Sequence, residues 1–456
     1  MPLEASRLGV SHSDWIGVRD EAVRLLRRLI AVDTSNPPGN ETALAVVLQE
    51  YLRGSGIEAE IHGEPPDRKN LVARVKGCRP GPRILLLSHS DVVPAPEEDW
   101  LVPPFAGVLK DGCVWGRGAL DMKNQMAAHA VALSRLVRSQ QSIAGEVILA
   151  ATSDEEVRTM SGARWLLEQE PELVRCDYLI TESVLDGSRA GDISVFPLAV
   201  AEKSVAMFRL RARGEGGHAS LALHELNAVT RLSEMLTRLE KLEPDTVISP
   251  DLRSFIEAML PGSPLVPRLI NVKTARAALR ELALQDPKKA RTFESLMGAT
   301  FSPTILRTNS DSVNVIPTEA SVDVDCRFLP SQDLDYVEAH VRKALSGFDD
   351  WSLEWLEVER SGESAKSTPL GQALQEVISR MSPGGQVLSI YSTAGTDMPW
   401  FRQALPDLVA YGFCPSFCYD SASAEAGMHS SNERIHIDDL GLQVLFFEHA
   451  LLELLR

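Results

Sequence analysis

The 456-residue chain is poor in three features, and each shortage excludes a class of protein. Its six cysteines, Cys78, Cys113, Cys176, Cys326, Cys414 and Cys418, are too scattered for a disulfide scaffold and form no paired metal knuckle, so free thiols are expected. No apolar run approaches the length of a membrane span, and residues 1–20 carry Glu4, Arg7, Asp14, Arg19 and Asp20 where a signal peptide would have an apolar core. The expected compartment is the cytoplasm, with no membrane partner. Basic charge is the third shortage: 46 Lys plus Arg against 63 Asp plus Glu give a net charge of -17, which disfavours nucleic acid or anionic membrane as a partner. With 44% hydrophobic residues, the chain has enough length and apolar content for two or three globular domains.

The candidate chemistry concentrates between Arg83 and Lys123. The apolar run Ile84-Leu85-Leu86-Leu87 delivers Ser88-His89-Ser90-Asp91, and a further acid follows in Gly116-Arg117-Gly118-Ala119-Leu120-Asp121. A short continuous apolar run reads as a strand of a parallel sheet covered on both faces, and such sheets carry ligand sites beyond the carboxyl ends of their strands. Two more runs repeat the design. Val147 to Thr152 leads into Ser153-Asp154-Glu155-Glu156, and Tyr178 to Thr181 leads into Glu182.

Acids gathered at one sheet edge repel one another unless a cation neutralises them or their pKa values shift. A metal is the simplest reason for the pattern. Imidazole plus carboxylates, without thiolate, suits zinc, cobalt or manganese. A second imidazole is available at His429, in Gly427-Met428-His429-Ser430-Ser431-Asn432-Glu433.

Strand and helix patterns alternate to about residue 202. From there, Val205 to Arg211 and Val322 to Phe328 alternate apolar with polar residues, as antiparallel strands with one wet face do. Parallel-type runs return at Gln386 to Tyr391 and Leu408 to Gly412, before a terminal helical pattern from Asp438 to Leu455. The expected fold is α/β: a mainly parallel-sheet catalytic domain, residues 1–202 and 361–456, interrupted by an α+β lid or dimerisation domain, residues 203–360. The Pro-punctuated stretch from Pro244 to Pro303 reads as an elaboration of that inserted module.

The motifs Ser-His-Ser-Asp-Val-Val-Pro at 88–94, Gly-Arg-Gly-Ala-Leu-Asp-Met-Lys at 116–123, Asp-Glu-Glu at 154–156, Gly-Gly-His-Ala-Ser at 216–220, Asn-Val-Ile-Pro at 314–317 and His-Ser-Ser-Asn-Glu at 429–433 appear in one order along the chain. This set resembles the M20 metallopeptidase family, which includes carboxypeptidase G type enzymes, aminoacylases, succinyl-diaminopimelate desuccinylases and carnosinase-like dipeptidases. Two residues depart from the family's commoner choices, Ser88 before His89 and Ala394 before Gly395-Thr396-Asp397.

The resemblance implies two divalent metal ions, zinc first, with cobalt or manganese as substitutes. Asp121 would bridge them, His89 and Glu182 would hold one, and Glu156 and His429 the other. Glu155 would be the general base for a metal-bridging water, on the opposite side of an extended strand end from Glu156. Asp91 would orient the His89 ring. His218 would stabilise the oxyanion, reaching in from a partner subunit or after lid closure. Asn314 and Arg327 would bind the tetrahedral centre and the free carboxylate, with backbone donors from Gly395 and Thr396.

The expected activity is hydrolysis of an amide bond in a short peptide or N-acyl amino acid with a free carboxylate. Two alternatives stand beside it: a deacetylase or desuccinylase of amino-acid biosynthesis, and a non-catalytic metal-binding protein on the same fold. A homodimer paired through the lid is expected, unless the stretch from Pro244 to Pro303 covers that surface and leaves a monomer.

Overall fold

The computed structural model describes residues 1–158, 161–183, 188–190, 193–220, 227–418 and 427–456. Its largest element is a nine-stranded sheet. The strands run in the order β1 (Ala59–His62), β2 (Asn70–Lys76), β6 (Ala144–Thr152), β3 (Arg79–His89), β7 (Tyr178–Thr181), β17 (Val409–Gly412), β9 (Ile193–Glu202) and β16 (Gln386–Ser392), and β8 (Ser188–Ala190) pairs with β9. The centre, β6-β3-β7-β17, is parallel. Antiparallel pairs, β1 with β2, β2 with β6 and β17 with β9, flank it, so the sheet is mixed.

The apolar run of β3 is buried from both sides. Ile84 and Leu86 join the core formed with helices His12–Ile30, Lys123–Arg138 and Ile437–Leu454, while Leu85 and Leu87 join the opposite core with Leu166, Met398 and Phe401. Alternate residues of a strand face opposite sides, so a strand with apolar residues at every position needs two covered faces.

A second, four-stranded antiparallel sheet has the order β12 (Thr300–Thr308), β14 (Glu319–Phe328), β10 (Ser204–Arg213) and β15 (Trp351–Glu359). Phe208, Leu210, Val322, Val324 and Phe328 pack on helices Ala228–Glu240 and Leu334–Ala344, while on the other face Arg209 pairs with Asp323 and Arg211 with Glu319. Two small sheets complete the fold. One pairs β11 (Gly217–His218) with β13 (Val315–Ile316), and the other has the order β18 (Arg434–His436), β5 (Cys113–Trp115), β4 (Val108–Lys110).

The stretch from Pro244 to Pro303 does more than extend the antiparallel module. Leu252, Phe255 and Ile256 of helix Pro250–Met259 share a core with Val195 of β9 and Ile390 of β16, so its helices cover the outer end of the large sheet. Lys203, between β9 and β10, is buried and donates from Nζ to the carbonyls of Ser295 (3.0 Å) and Gly298 (2.8 Å). This ammonium fastens the helical stretch to the crossing between the two sheets. Among the described residues, no helix is long and apolar enough to cross a membrane.

Candidate metal centre

Three adjacent parallel strands, β6, β3 and β7, end side by side, and their carboxyl ends carry the acids and the imidazole that the sequence singles out. His89 is the last residue of β3. Asp121 follows the loop from β5 and lies just ahead of helix Lys123–Arg138, whose N-terminal dipole favours an ionised carboxylate. The Asp121 carboxylate sits between two imidazoles: Oδ1 is 2.9 Å from His89 Nε2 and Oδ2 is 3.1 Å from His429 Nε2. Each imidazole has a further acid beside it. Glu182 Oε2 is 3.6 Å from His89 Nε2, and Glu156 Oε1 is 3.3 Å from His429 Nε2.

This juxtaposition brings His89, Asp121, Glu182, Glu156 and His429 together. One ligand atom from each of His89, Asp121 and Glu156 fits within 4.8 Å, as does one from each of His89, Glu155 and Glu182. Glu156 Oε1 is buried, and among the described residues its one polar neighbour is the His429 imidazole at 3.3 Å. A buried carboxylate oxygen so thinly partnered is costly, and oxygen and imidazole donors at this spacing fit divalent cations.

The electrostatics show how strongly these acids need positive charge. Burial pushes the Glu182 carboxyl up to about 8, the Asp121 charge adds to the effect, and His89 opposes it. Burial acts against the charged form of Asp121 too, but hydrogen bonds from His429 and His89 outweigh it and hold this carboxyl far below the usual range. The hydrogen bond to Asp121, then that to Glu156, raise His429 to about 10. Protons thus take the place that a cation would fill.

The Glu155-Glu156 pair does not continue β6. The strand stops at Thr152, Asp154 takes a φ of 67°, and the Arg158 N–H closes a turn on the Asp154 carbonyl at 3.0 Å. Separation of the two acids therefore comes from a turn, not from strand alternation. Asp91 fixes this turn: its carboxylate accepts the N–H groups of Glu155 (3.1 Å) and Glu156 (3.0 Å) and the Asn36 amide (2.8 Å). His89 Nδ1 is nearer to the Asp91 carbonyl (3.1 Å) than to its carboxylate (3.5 Å). The buried Glu155 is raised well above the usual carboxylate range by burial, with the His89 and Arg158 charges opposing.

The remaining expected residues lie apart from this cluster. His218 is exposed on β11 and its Nδ1 pairs with Ser220 Oγ at 2.7 Å; the neighbouring Ala219 N–H donates to the Asn314 carbonyl at 2.9 Å, so His218 and Asn314 share one surface. Among the described residues neither hydrogen-bonds to the cluster. Arg327 forks onto Asp325 at 2.8 and 3.0 Å, while its Nη1 is buried without a hydrogen-bond partner among the described residues. The Thr396 N–H donates to Glu202 at 3.1 Å and its hydroxyl bonds to the same carboxylate, so both donors are already engaged inside the protein.

Several contributors were not read from the sequence. Glu433 is fully buried and accepts the N–H groups of Leu120 (2.6 Å), Asp121 (3.1 Å) and Gly118 (3.2 Å) as well as Arg117 Nη1 (2.7 Å). It ties the Asp121 loop to the segment bearing His429. Its place in the His-Ser-Ser-Asn-Glu motif was the available signal. Asn36 and Arg158 carried none.

Acids and imidazoles gathered at the carboxyl ends of a mixed α/β sheet form a candidate divalent-metal site of the kind a metallohydrolase uses. The chain belongs to peptidase family M20/M25/M40, whose model matches residues 85–453. It is 28% identical over 450 residues to the N-fatty-acyl-amino acid synthase/hydrolase PM20D1 of Mus musculus, covering 93% of this chain and 86% of that one. A succinyl-diaminopimelate desuccinylase of Gluconacetobacter diazotrophicus is 32% identical over 227 residues, 48% of this chain and 56% of the relative. The fold resembles an M20 family metallo-carboxypeptidase from Sulfolobus solfataricus with a TM-score of 0.72, at 19% identity, covering 94% of this chain and 98% of that one.

Proposed function

We propose that the protein hydrolyses the amide bond of an N-acyl amino acid, or of a short peptide with a free carboxylate, with Glu155 as proton carrier. The observation that supports this most is Asp121 held between His89 and His429, each with its own second acid. His89 and Glu182 would hold one divalent ion, His429 and Glu156 the other, and Asp121 would bridge them. Zinc is the first expectation, with cobalt or manganese as substitutes. Bound there, the ions would neutralise the acids, polarise the scissile carbonyl and make water acidic near neutral pH.

Glu155, buried beside these groups, takes a proton from the attacking water and passes it to the leaving nitrogen. Asp91 holds the Glu155-Glu156 turn and the His89 ring in place. Residues 203–360 act as a lid, with 1–202 and 361–456 as the catalytic domain. His218 and Asn314, exposed together, would reach the reacting centre after closure or from a partner copy. The buried free donor of Arg327 and the backbone at Gly395 would meet the substrate's carboxylate, with Thr396 fixing that loop on Glu202. A homodimer fits the four-stranded sheet, because among the described residues β12 has no partner strand on its outer edge and leaves Ile305 and Leu306 exposed, while the helical stretch packs on the large sheet.

The relative that spans 93% of the chain favours an N-acyl amino acid with a long acyl group. A second reading, desuccinylase chemistry, rests on desuccinylase relatives, one of which spans 92% of the chain at 25% identity. The test is metal content per chain, with hydrolysis of a long-chain N-acyl, an N-acetyl and an N-succinyl amino acid and a dipeptide, before and after chelation, on wild type and Glu155→Ala. About two metals, with activity lost in Glu155→Ala while the metals stay, supports the reading. Metal binding with no turnover of any amide would favour a non-catalytic protein. No metal binding would overturn the ligand set.

A further inference from the structure

The turn that carries Glu155 and Glu156 ends in a side chain that no step above uses. Arg158 takes a φ of 56°, and its side chain is 21% exposed. Nη1 donates to Glu359 Oε2 at 3.1 Å, and Nη2 lies 3.5 Å from Glu155 Oε1. Glu359 is the last residue of β15 and stands opposite Val205, next to the crossing from the large sheet into the four-stranded one. The guanidinium therefore joins the expected base to the end of the four-stranded sheet.

Two neighbours make this bridge specific. A Cβ built on Gly395 would come within 2.3 Å of Arg158 Nη2, so the guanidinium fills the space that a side chain there would need. The next residue, Thr396, is bound to Glu202, the last residue of β9. Arg158 is thus packed against a loop that is itself fixed to the crossing. A proton carrier works only within hydrogen-bond reach of its water, and a misplacement of about 1 Å can cost on the order of a hundredfold in rate.

From this geometry we propose that Arg158 is a positioning residue for Glu155, bridging it to Glu359 so that the seating of the four-stranded sheet sets where the base points. The proposal rests on the assignment of Glu155 as base. Arg158 acts through Glu155 and touches no substrate. Its planar fork spans two carboxylates from separate elements, which a lysine ammonium cannot match.

The test compares Arg158→Met, Arg158→Lys, Glu359→Gln and Arg158→Met/Glu359→Gln on the full-length, metal-loaded enzyme. The expected result is a kcat lower by about tenfold to a hundredfold in Arg158→Met and Glu359→Gln, with KM and metal content unchanged. Arg158→Lys should recover part of the loss, and the double variant should be no slower than Arg158→Met, because Glu359 acts only through Arg158. In the metal-free protein, amide hydrogen exchange over 153–158 and 355–359 should speed up in both single variants.

A raised KM with kcat intact would make Arg158 a substrate contact and overturn the proposal. So would an unchanged kcat, loss of metal, or additive losses in the double variant. If Arg158→Met does not fold, Glu359→Gln carries the comparison. If wild type turns over no amide, the proposed activity fails and exchange decides the bridge: unaltered rates in both segments would overturn it.

Discussion

Replacing Glu433 with Gln should be among the most damaging single-atom changes in this chain. The carboxylate is fully buried and collects four donors, one oxygen facing the Leu120 and Asp121 N–H groups and the other facing Gly118 N–H and Arg117 Nη1. An amide offers one acceptor oxygen. Whichever way it turns, its NH2 meets two donors, and the guanidinium of Arg117, 4% exposed, loses its counter-charge. Breaking a buried pair from one side costs about 3 to 5 kcal/mol, a large part of a total stability of about 5 to 15 kcal/mol.

The assay is urea unfolding of the metal-free protein, read as a lower midpoint at unchanged slope. Because Glu433 also holds the Asp121 backbone, metal affinity should fall by about tenfold or more. Adding Arg117→Met should restore part of the stability by removing the stranded charge. A Glu433→Gln variant within about 0.5 kcal/mol of wild type, or a double variant no more stable than the single one, would refute the reasoning.

Metal loading should release protons and tighten from pH 6 to pH 8: Glu182, raised to about 8, and His429, raised to about 10, are both protonated at neutral pH without metal and must give up protons to bind it. Calorimetry in buffers of different ionisation enthalpy reads that release, and a titration with no proton release refutes it. Gly412→Ala should weaken metal binding and cost about 1 to 3 kcal/mol, because the new Cβ would lie 2.3 Å from the Glu182 carbonyl and push the end of β7; unchanged thermal stability and metal content count against it. Asn36→Ala should lower kcat by about tenfold with the fold intact, since its amide holds Asp91 (2.8 Å) and Asp154 (3.2 Å) beneath the Glu155 turn; wild-type turnover would show that the turn needs no such support.

Much of the centre could be read from the sequence because its parts lie at the ends of continuous apolar runs. Ile84 to Leu87, Val147 to Ala151 and Tyr178 to Ile180 identify buried strands, and the polar residues that follow each run must emerge at the same kind of edge. Nothing in those runs says that the three strands are neighbours. That follows from the order β6-β3-β7, which depends on pairing across long stretches of chain. The alternating pattern likewise marks β10 and β14, yet it is silent on which end of the large sheet the helices from Pro250 to Met297 cover. Their apolar faces meet Val195 and Ile390 only once the strand order is set.

The turn at Asp154 shows where one-dimensional reading stops. An apolar strand followed by Asp-Glu-Glu invites extension of the strand, because the alternation rule then separates the two glutamates by itself. The chain instead bends at Asp154, and Asp91 accepts both following N–H groups, a contact set by the parallel pairing of β3 with β6. The same bend decides the fate of Arg158. A single arginine three residues after a glutamate reads as a solvated i,i+3 partner, an interaction of little energetic weight. Its closer partner, Glu359, is 201 residues away, and only the register that places Glu359 opposite Val205 brings it near. Cations that organise a site through distant strands leave no local motif, so residues of this kind are found from the fold inward.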